Sequence, residues 1–411
     1  MAPRNQIILD CRLCQHNNLK NIFDFGLVPL GNNLKSDKIK SLKIEKYPLS
    51  INQCLNCNHF QLNFSVDPDL LYATNYTYLT GVGKSFRKHL QQFARDILKY
   101  HRNEKNDYKT RVIDIGSNDG TALSYFIKMG CEVLGIDPAK IPSKIANTNG
   151  INTLNKFFSL NLAEQIVQDN QLFDIVISHN VLAHVENIHD VFEGIYKILK
   201  INGLLVFEVG YFGDIILKNI YDTIYHEHLD YHSKKPLANF LVSKGFSVKK
   251  IEMNSIQGGS IRFYCIKENQ AKIYPSVTKQ LNVEKEFFQN KYINIWGSNI
   301  FKSIEFIKAN ISEALTEGVN IWGYGAPTKA TLITNMLGDS ANSIQFIIDD
   351  NPLKENKYIP GTNIPIIKKY ERPFFKKQLI ICFAWNFFDD IYSKLKLENI
   401  QGTLLNIQDG K

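Results

Sequence analysis

The 411-residue sequence predicts an α/β protein with a helix-poor N-terminal segment followed by two α/β units. Three observations carry this. Between residues 73 and 275, apolar runs (RVIDIG, CEVLGID, FDIVISH, GLLVFEVG) alternate with helical stretches, which implies a parallel sheet with helices on both faces. A second alternation (VNIWGYGA, SIQFIIDD, IPII, QLIICFAWN) predicts a smaller α/β unit toward the C-terminus, with helices after Gly325 and from Asp389 to Leu397. Residues 1–72 instead read as short apolar pieces broken by Gly, Pro, Asn and Asp. Residues 277–315 carry Phe287, Phe288, Trp296, Ile300, Ile304 and Ile307 at helical spacing and join the two units. The expected divisions are 1–72, 73–275 and 276–411.

The composition, 44% hydrophobic and 21% charged, is that of a globular chain and excludes a disordered one. A net charge of +8 suits a polyanionic ligand, but the basic residues are dispersed and form no nucleic-acid tail. The N-terminus MAPRNQIILDC lacks the apolar core of a signal peptide, and no stretch has the ~18 apolar residues of a membrane span. Cys131, Cys265 and Cys382 sit singly in apolar, strand-like surroundings and read as buried thiols. A cytoplasmic protein with no nucleic-acid or membrane partner is expected.

Cys11-Arg-Leu-Cys14 and Cys54-Leu-Asn-Cys57 form two C-x-x-C pairs with a long intervening loop. Each pair places two thiolates on adjacent corners of a tetrahedron, so the two pairs complete a four-thiolate zinc site. With no position left for water, that zinc is structural, and it staples a segment that buries little core by itself. His16 and His59 lie nearby, but the four thiolates suffice without them.

Val112-Ile-Asp-Ile-Gly-Ser-Asn-Asp-Gly-Thr121 is a strand entering a glycine-bearing turn and then a helix. Gly116 and Gly120 allow a close backbone approach to a ligand at the carboxyl end of the strand. Asp137, at the end of the next strand, stands where an acid accepts the hydroxyls of a ribose. The G-x-G-x-x-G phosphate pattern is absent, and Asp114 and Asp119 suit the amino group of a methionyl moiety better than a pyrophosphate. This Rossmann-like pattern resembles motif I of the class I methyltransferases, so S-adenosylmethionine (SAM) is the expected cofactor and S-adenosylhomocysteine its product. Asn118 in the turn, and His179 and Asn180 at the end of a later strand, are further candidates on the cofactor side.

Two histidines, a carboxylate and tyrosines fall within Asp222-Thr-Ile-Tyr-His-Glu-His-Leu-Asp-Tyr231. Histidine accepts a proton near neutral pH, and tyrosine donates a hydrogen bond to a developing oxyanion. H-E-H is not the H-E-x-x-H zincin pattern and implies no catalytic metal.

The order of features resembles the sugar C-methyltransferase family that acts on nucleotide-linked 4-ketosugars in deoxysugar biosynthesis. The matching pieces are the paired C-x-x-C, Tyr76-Thr-Tyr78 before Gly81, DIGSNDG, NVLAHV, the core at Tyr225–His228, Gly258-Gly259 before Arg262, GYGAPTKA at 323–330 and FAWN at 383–386. The resemblance covers essentially the whole chain. It implies a zinc domain, a methyltransferase domain and a C-terminal Rossmann-like domain around one cleft. It also implies His228 as general base, with Tyr225 and Glu227 beside it, and His184 with Tyr76 or Tyr78 lining the sugar site. The implied reaction is C-methylation at C3: His228 removes the hydrogen that the C4 ketone acidifies, and Tyr225 and His184 stabilise the enolate.

In the C-terminal unit, Gly323-Tyr-Gly325 follows a strand and precedes a helix, a geometry that exposes backbone N–H groups to phosphate. Lys329 adds charge, and Asp349 or Asp350 completes a dinucleotide-like layout that suits NAD. The resemblance instead assigns Gly323, Gly325, Lys329, Asp349 and Arg262 to the nucleotide-sugar, and a vestigial fold with no ligand is the third alternative for this unit. The open alternatives are O- or N-methylation of a nucleotide-sugar, a nucleic-acid methyltransferase, and a ligand sensor without turnover. His179-Asn180 is not the Asn-Pro-Pro-Tyr type expected of an enzyme acting on base amino groups. The sequence leaves the sugar, the carrier and the oligomeric state open, a monomer included.

Overall fold

A computed structural model describes residues 5–73, 79–102, 109–168, 172–284, 288 and 290–410. Tyr76, Tyr78 and Phe287 lie outside the described residues.

The N-terminal strands Leu19–Pro29, Lys46–Cys54 and Phe60–Leu62 pair antiparallel, and the sheet takes its fourth strand, Asp230–Tyr231, from far along the chain. Leu49, Ile51, Phe60 and Leu62 are fully buried. They belong to a core shared with Phe212, Tyr221 and Trp296, and the Phe60 and Phe212 ring centroids lie 4.3 Å apart. The segment is therefore not held by a metal alone. It buries its apolar face against other parts of the molecule, where each such side chain contributes about 1.5–3 kcal/mol.

The central sheet has seven strands in the spatial order Phe246–Asn254, Ser260–Lys267, Leu199–Gly210, Phe173–His179, Arg111–Ile115, Glu132–Ile136 and Thr153–Leu154. Five of them are parallel, as the apolar runs predict. The expectation of a wholly parallel sheet is corrected at one edge, where Ser260–Lys267 runs antiparallel to both neighbours. The reason is local: Gly258 and Gly259, at φ 94° and 134°, turn the chain straight back between Asn254 and Ser260. Strand order reverses beside Arg111–Ile115, with Glu132–Ile136 on one side and Phe173–His179 on the other, which opens a crevice at the carboxyl ends.

The C-terminal sheet has six strands, ordered Lys357–Tyr358, Pro365–Ile367, Ile347–Ile348, Asn320–Tyr324, Gln378–Cys382 and Thr403–Asn406. The helix Asn290–Thr316 joins it to the rest. Trp296, Ile300, Ile304, Ile307 and Ile311 recur every three or four residues, and all are buried in the core shared with the N-terminal sheet. The Trp296 Nε1–H donates to the Ile220 carbonyl at 2.8 Å, which ties this helix to the chain just before the His-Glu-His segment. No helix among the described residues is long and apolar enough to cross a membrane.

Candidate active site and metal centre

The four cysteines converge. Cys11 Sγ lies 3.6 Å from Cys57 Sγ, and Cys14 Sγ lies 3.6 Å from Cys54 Sγ. All four sulfurs are within 4.8 Å of one another. A tetrahedral zinc with Zn–S bonds of about 2.3 Å separates its sulfurs by about 3.8 Å, so the set fits zinc with little adjustment. The two knuckles are built alike. The residue after the second cysteine, Gln15 or Asn58, takes a positive φ and returns its N–H to the carbonyl of Cys11 or Cys54. The His16 ring lies beside the Cys14 carbonyl and His59 faces Asp230, so the shell is thiolate only.

The crevice of the central sheet holds the predicted glycine turn. Gly116 and Gly120 have φ of 78° and 77°, in the left-handed region that disfavours side chains. A Cβ at Gly116 would fall 2.2 Å from Val181, and one at Gly120 would fall 2.6 Å from Ile151. Both glycines are thus demanded by the protein's own packing as well. Asp137 accepts the N–H groups of Asn118 and Ala139, each at 2.8 Å. Asp119 accepts from Thr121 and from the Gly81 N–H at 2.7 Å, while Thr80 donates to Asn118 at 2.9 Å. Residues 80–81 therefore close over the turn. Asp114 is fully buried, and its Oδ1 has no partner among the described residues. Burial, with the charge of Asp137 added, lifts its carboxyl well above the usual range, and burial lifts Asp137 too. Such a pair of costly carboxylates is relieved by a cation, so the residues fit the positively charged SAM.

The predicted proton-transfer cluster forms. His228 Nδ1 lies 2.7 Å from the Thr223 carbonyl, which fixes the proton there and leaves Nε2 to accept from the Tyr225 hydroxyl at 3.0 Å. Burial lowers the His228 pKa to about 3, with His184 adding to the effect, so the ring is an uncharged acceptor. The His184 and His228 ring centroids are 4.7 Å apart. His184 Nδ1 meets the Glu227 carbonyl at 2.7 Å, and the Asn180 carbonyl also faces the ring. In this geometry His184 holds the Glu227–His228 backbone. The Glu227 carboxyl is pushed up to about 7 by burial, against the pull of Asn32 and Lys354. It accepts from the Asn32 amide at 2.7 Å.

Three residues at the site escape sequence reasoning. Asn32 comes from the N-terminal segment, Tyr72 donates to the Glu227 carbonyl at 2.8 Å, and Arg12 reaches Asp230 at 2.9 Å. Tyr72 stands close before Tyr76 in one aromatic run, a signal that could have found it. Asn32 and Arg12 carry no local signal.

Other expected site residues are engaged elsewhere. The Arg262 Nε donates to Glu208 at 2.5 Å, Nη1 donates to the Tyr264 hydroxyl, and the guanidinium stacks over Phe93. His179 packs its ring against Phe93 at 3.9 Å, and neither of its nitrogens has a hydrogen-bond partner among the described residues. His89, His179 and Glu208 lie close enough to share a metal, but Glu208 is already held by Arg262 and by His89 at 2.7 Å. Lys329 pairs with the buried Asp222 at 3.2 Å, donates to Asn386 and lies over the Trp385 ring, so its charge is already compensated. Asp349 caps the N–H groups of Ala326 and Asn351. A Cβ at Gly323 would meet Phe383 at 2.7 Å, and one at Gly325 would meet Ala384 at 2.5 Å. Close packing against Phe383 and Ala384 therefore requires glycine at both positions, whatever the turn binds. Thr328, at the start of the following helix, is covered by Gly31.

The sheet order, the crevice acids and the thiolate cluster define a zinc-containing methyltransferase that uses SAM. Three family profiles match in succession: a zinc binding domain over residues 11–72, a methyltransferase domain over 86–251 and a C-methyltransferase C-terminal domain over 255–405. Taken in order, the three profiles describe a SAM-dependent methyltransferase with an N-terminal zinc-binding domain and a C-terminal domain of the C-methyltransferase type. It is 28% identical over 397 residues to C-methyltransferase NovU of Streptomyces niveus, covering 95% of this chain and 93% of that one. It is also 30% identical over 98 residues to a ubiquinone biosynthesis O-methyltransferase of Maricaulis maris, covering 23% of this chain and 39% of that protein. Magnesium protoporphyrin IX methyltransferase from Synechocystis, solved with bound SAM, aligns at 18% identity and a TM-score of 0.34 over 47% of this chain and 86% of that one. So loose a superposition adds nothing to the case.

Proposed function

We propose that the enzyme C-methylates a nucleotide-linked 4-ketosugar at C3. The observation that carries this is the His228 ring, with its proton fixed on the Thr223 carbonyl and its open nitrogen beside the Tyr225 hydroxyl. A neutral imidazole acceptor next to a hydroxyl donor is what removal of a proton beside a carbonyl requires. When bound, SAM supplies an electrophilic methyl group. Asp114 and Asp137 hold its charged and ribose portions. His228 Nε2 takes the C3 proton while the Tyr225 hydroxyl turns to the developing enolate oxygen. Burial makes a lone imidazolium costly, so the enolate's negative charge beside it matters as much as intrinsic basicity. Burial lifts the Glu227 carboxyl, which gives the site a second group able to exchange a proton near neutral pH. The whole-length similarity to NovU supports carbon rather than oxygen as the acceptor, and the net charge of +8 suits a diphosphate-bearing substrate.

The test is proton exchange. Candidate nucleotide 4-ketosugars are incubated with enzyme in deuterated water without SAM, and the C3 proton signal is followed by NMR. Exchange that disappears in His228→Asn is the expected result, with turnover falling about 10²–10⁴-fold. Methyl transfer without exchange would sink the proposal in favour of O- or N-methylation.

A further inference from the structure

Arg12 lies between two zinc ligands, Cys11 and Cys14, yet its side chain leaves the metal centre. The guanidinium is nearly buried and makes three directed contacts. Nε donates to Asp230 Oδ1 at 2.9 Å, Nη1 to the Glu186 carbonyl at 2.9 Å, and Nη2 to the Val185 carbonyl. Glu186 and Val185 follow His184 directly, and Asp230 stands two residues after His228. The same two segments are clipped together by the N–H groups of Leu229 and Asp230, both of which donate to the Ala183 carbonyl, at 2.7 and 3.1 Å. His59, two residues after Cys57, meets the same Asp230 oxygen at 2.9 Å from the other zinc knuckle. The Arg12 backbone is itself fixed, since its N–H donates to Gln61 and its carbonyl faces the His189 ring.

We infer that Arg12 is a positioning residue that couples the zinc knuckle to the reacting groups by holding the His184 and His228 segments in one register. A planar fork with several donors suits this task because it binds two carbonyls and a carboxylate at once, which a lysine cannot do. Asp230 is the anchor: it is fully buried, and it begins the strand that joins the N-terminal sheet through Gln61 and Phe60. Order at the zinc is thereby transmitted to the His184–His228 ring pair. The inference rests on the reading of His228 as the proton acceptor.

The experiment compares Arg12→Lys, Arg12→Ala and Asp230→Asn with the unchanged full-length, zinc-loaded enzyme. Asp230→Asn breaks the same contact from the side remote from the cysteines, so it serves even where Arg12→Ala fails to fold. Zinc content is read by mass spectrometry, SAM affinity by calorimetry, and the imidazole signals of His184 and His228 by NMR of histidine-labelled protein. Expected are one zinc per chain, SAM affinity and KM within about threefold, and kcat lowered on the order of 10²-fold, the cost of a small misplacement. The two imidazole signals shift, and the double variant Arg12→Lys/Asp230→Asn is no worse than either single one. Wild-type kcat with unmoved imidazole signals in Asp230→Asn and Arg12→Lys would overturn the inference, as would fully additive losses. If no 4-ketosugar is turned over even by the unchanged enzyme, the substrate reading fails, while the imidazole signals still decide the role of Arg12.

Discussion

The central and C-terminal sheets each present a strand, a glycine turn, a helix and an acid at the end of the next strand, yet the two crevices are used differently. In the central one, the strand residue two before the first turn glycine is Asp114, buried with an oxygen unpartnered among the described residues. In the C-terminal one, the residue two before Gly325 is Gly323, packed on Phe383, and the acid Asp349 is spent on capping Ala326 and Asn351. Lys329 is spent on Asp222, just ahead of Tyr225, and Gly31 covers the start of its helix. The first crevice keeps a polar group in an unsatisfied state that a ligand can satisfy. The second engages the same elements in contacts between segments. An unpartnered buried oxygen is not by itself diagnostic, since Asp222 and Asp230 each keep one too, but those two carboxylates have cationic partners in Lys329 and Arg12, and Asp114 has the charge of Asp137 beside it instead.

The sharpest way to break this comparison is Lys329→Met. The change leaves Asp222 buried without its ion pair, and unfolding stability falls by about 3 kcal/mol with SAM affinity unchanged. Urea denaturation and calorimetry check this; intact stability with a raised KM for the nucleotide-sugar would make Lys329 a phosphate ligand after all. Next in size is the paired test Asp114→Asn against Asp349→Asn. The first weakens SAM binding about 10–100-fold through a lost charged contact, and the second leaves it within about threefold. Equal effects in calorimetry would erase the distinction between the crevices. The smallest expected effect is a pH limb. Burial holds Glu227 at about 7, whereas His228 stays neutral down to about 3. Deprotonation of Glu227 therefore gives kcat/KM a limb that rises with pH through about 7, and Glu227→Gln removes it. Lys354, which donates to the Ala326 carbonyl in the C-terminal crevice, lowers the Glu227 pKa, so Lys354→Met moves the limb modestly upward. A limb that survives Glu227→Gln would assign it to another group.

Much of the architecture was legible because local patterns encode it. The C-x-x-C pairs specify knuckles whose sulfurs converge, and the apolar runs specify the parallel strands. The helical spacing of Trp296, Ile300, Ile304 and Ile307 specifies a buried stripe. The antiparallel edge of the central sheet was missed, since SIRFYCIK reads no differently from a parallel core strand, and only the Gly258-Gly259 turn distinguishes it. The candidate site was legible in its chemistry but not in its contacts. His184, Tyr225, Glu227 and His228 come together, while Arg262, Lys329 and Asp349 make ion pairs and backbone contacts that no local pattern in the sequence announces.

The sequence by itself determined the elements, the thiolate set and the identity of the polar groups, because each depends on residues only a few positions apart. Tertiary structure alone decided which polar groups remain unsatisfied and which hold the site in place. Asn32 meets Glu227 across 195 residues of chain, and Arg12 meets Asp230 across 218. No local propensity encodes such pairs. They arise when Phe60, Phe212 and Trp296 bury one another and bring the zinc knuckle, the His184 loop and the Tyr225–His228 loop to a common seam. Burial is collective, and it fixes both which carboxylates are costly and which partners are within reach.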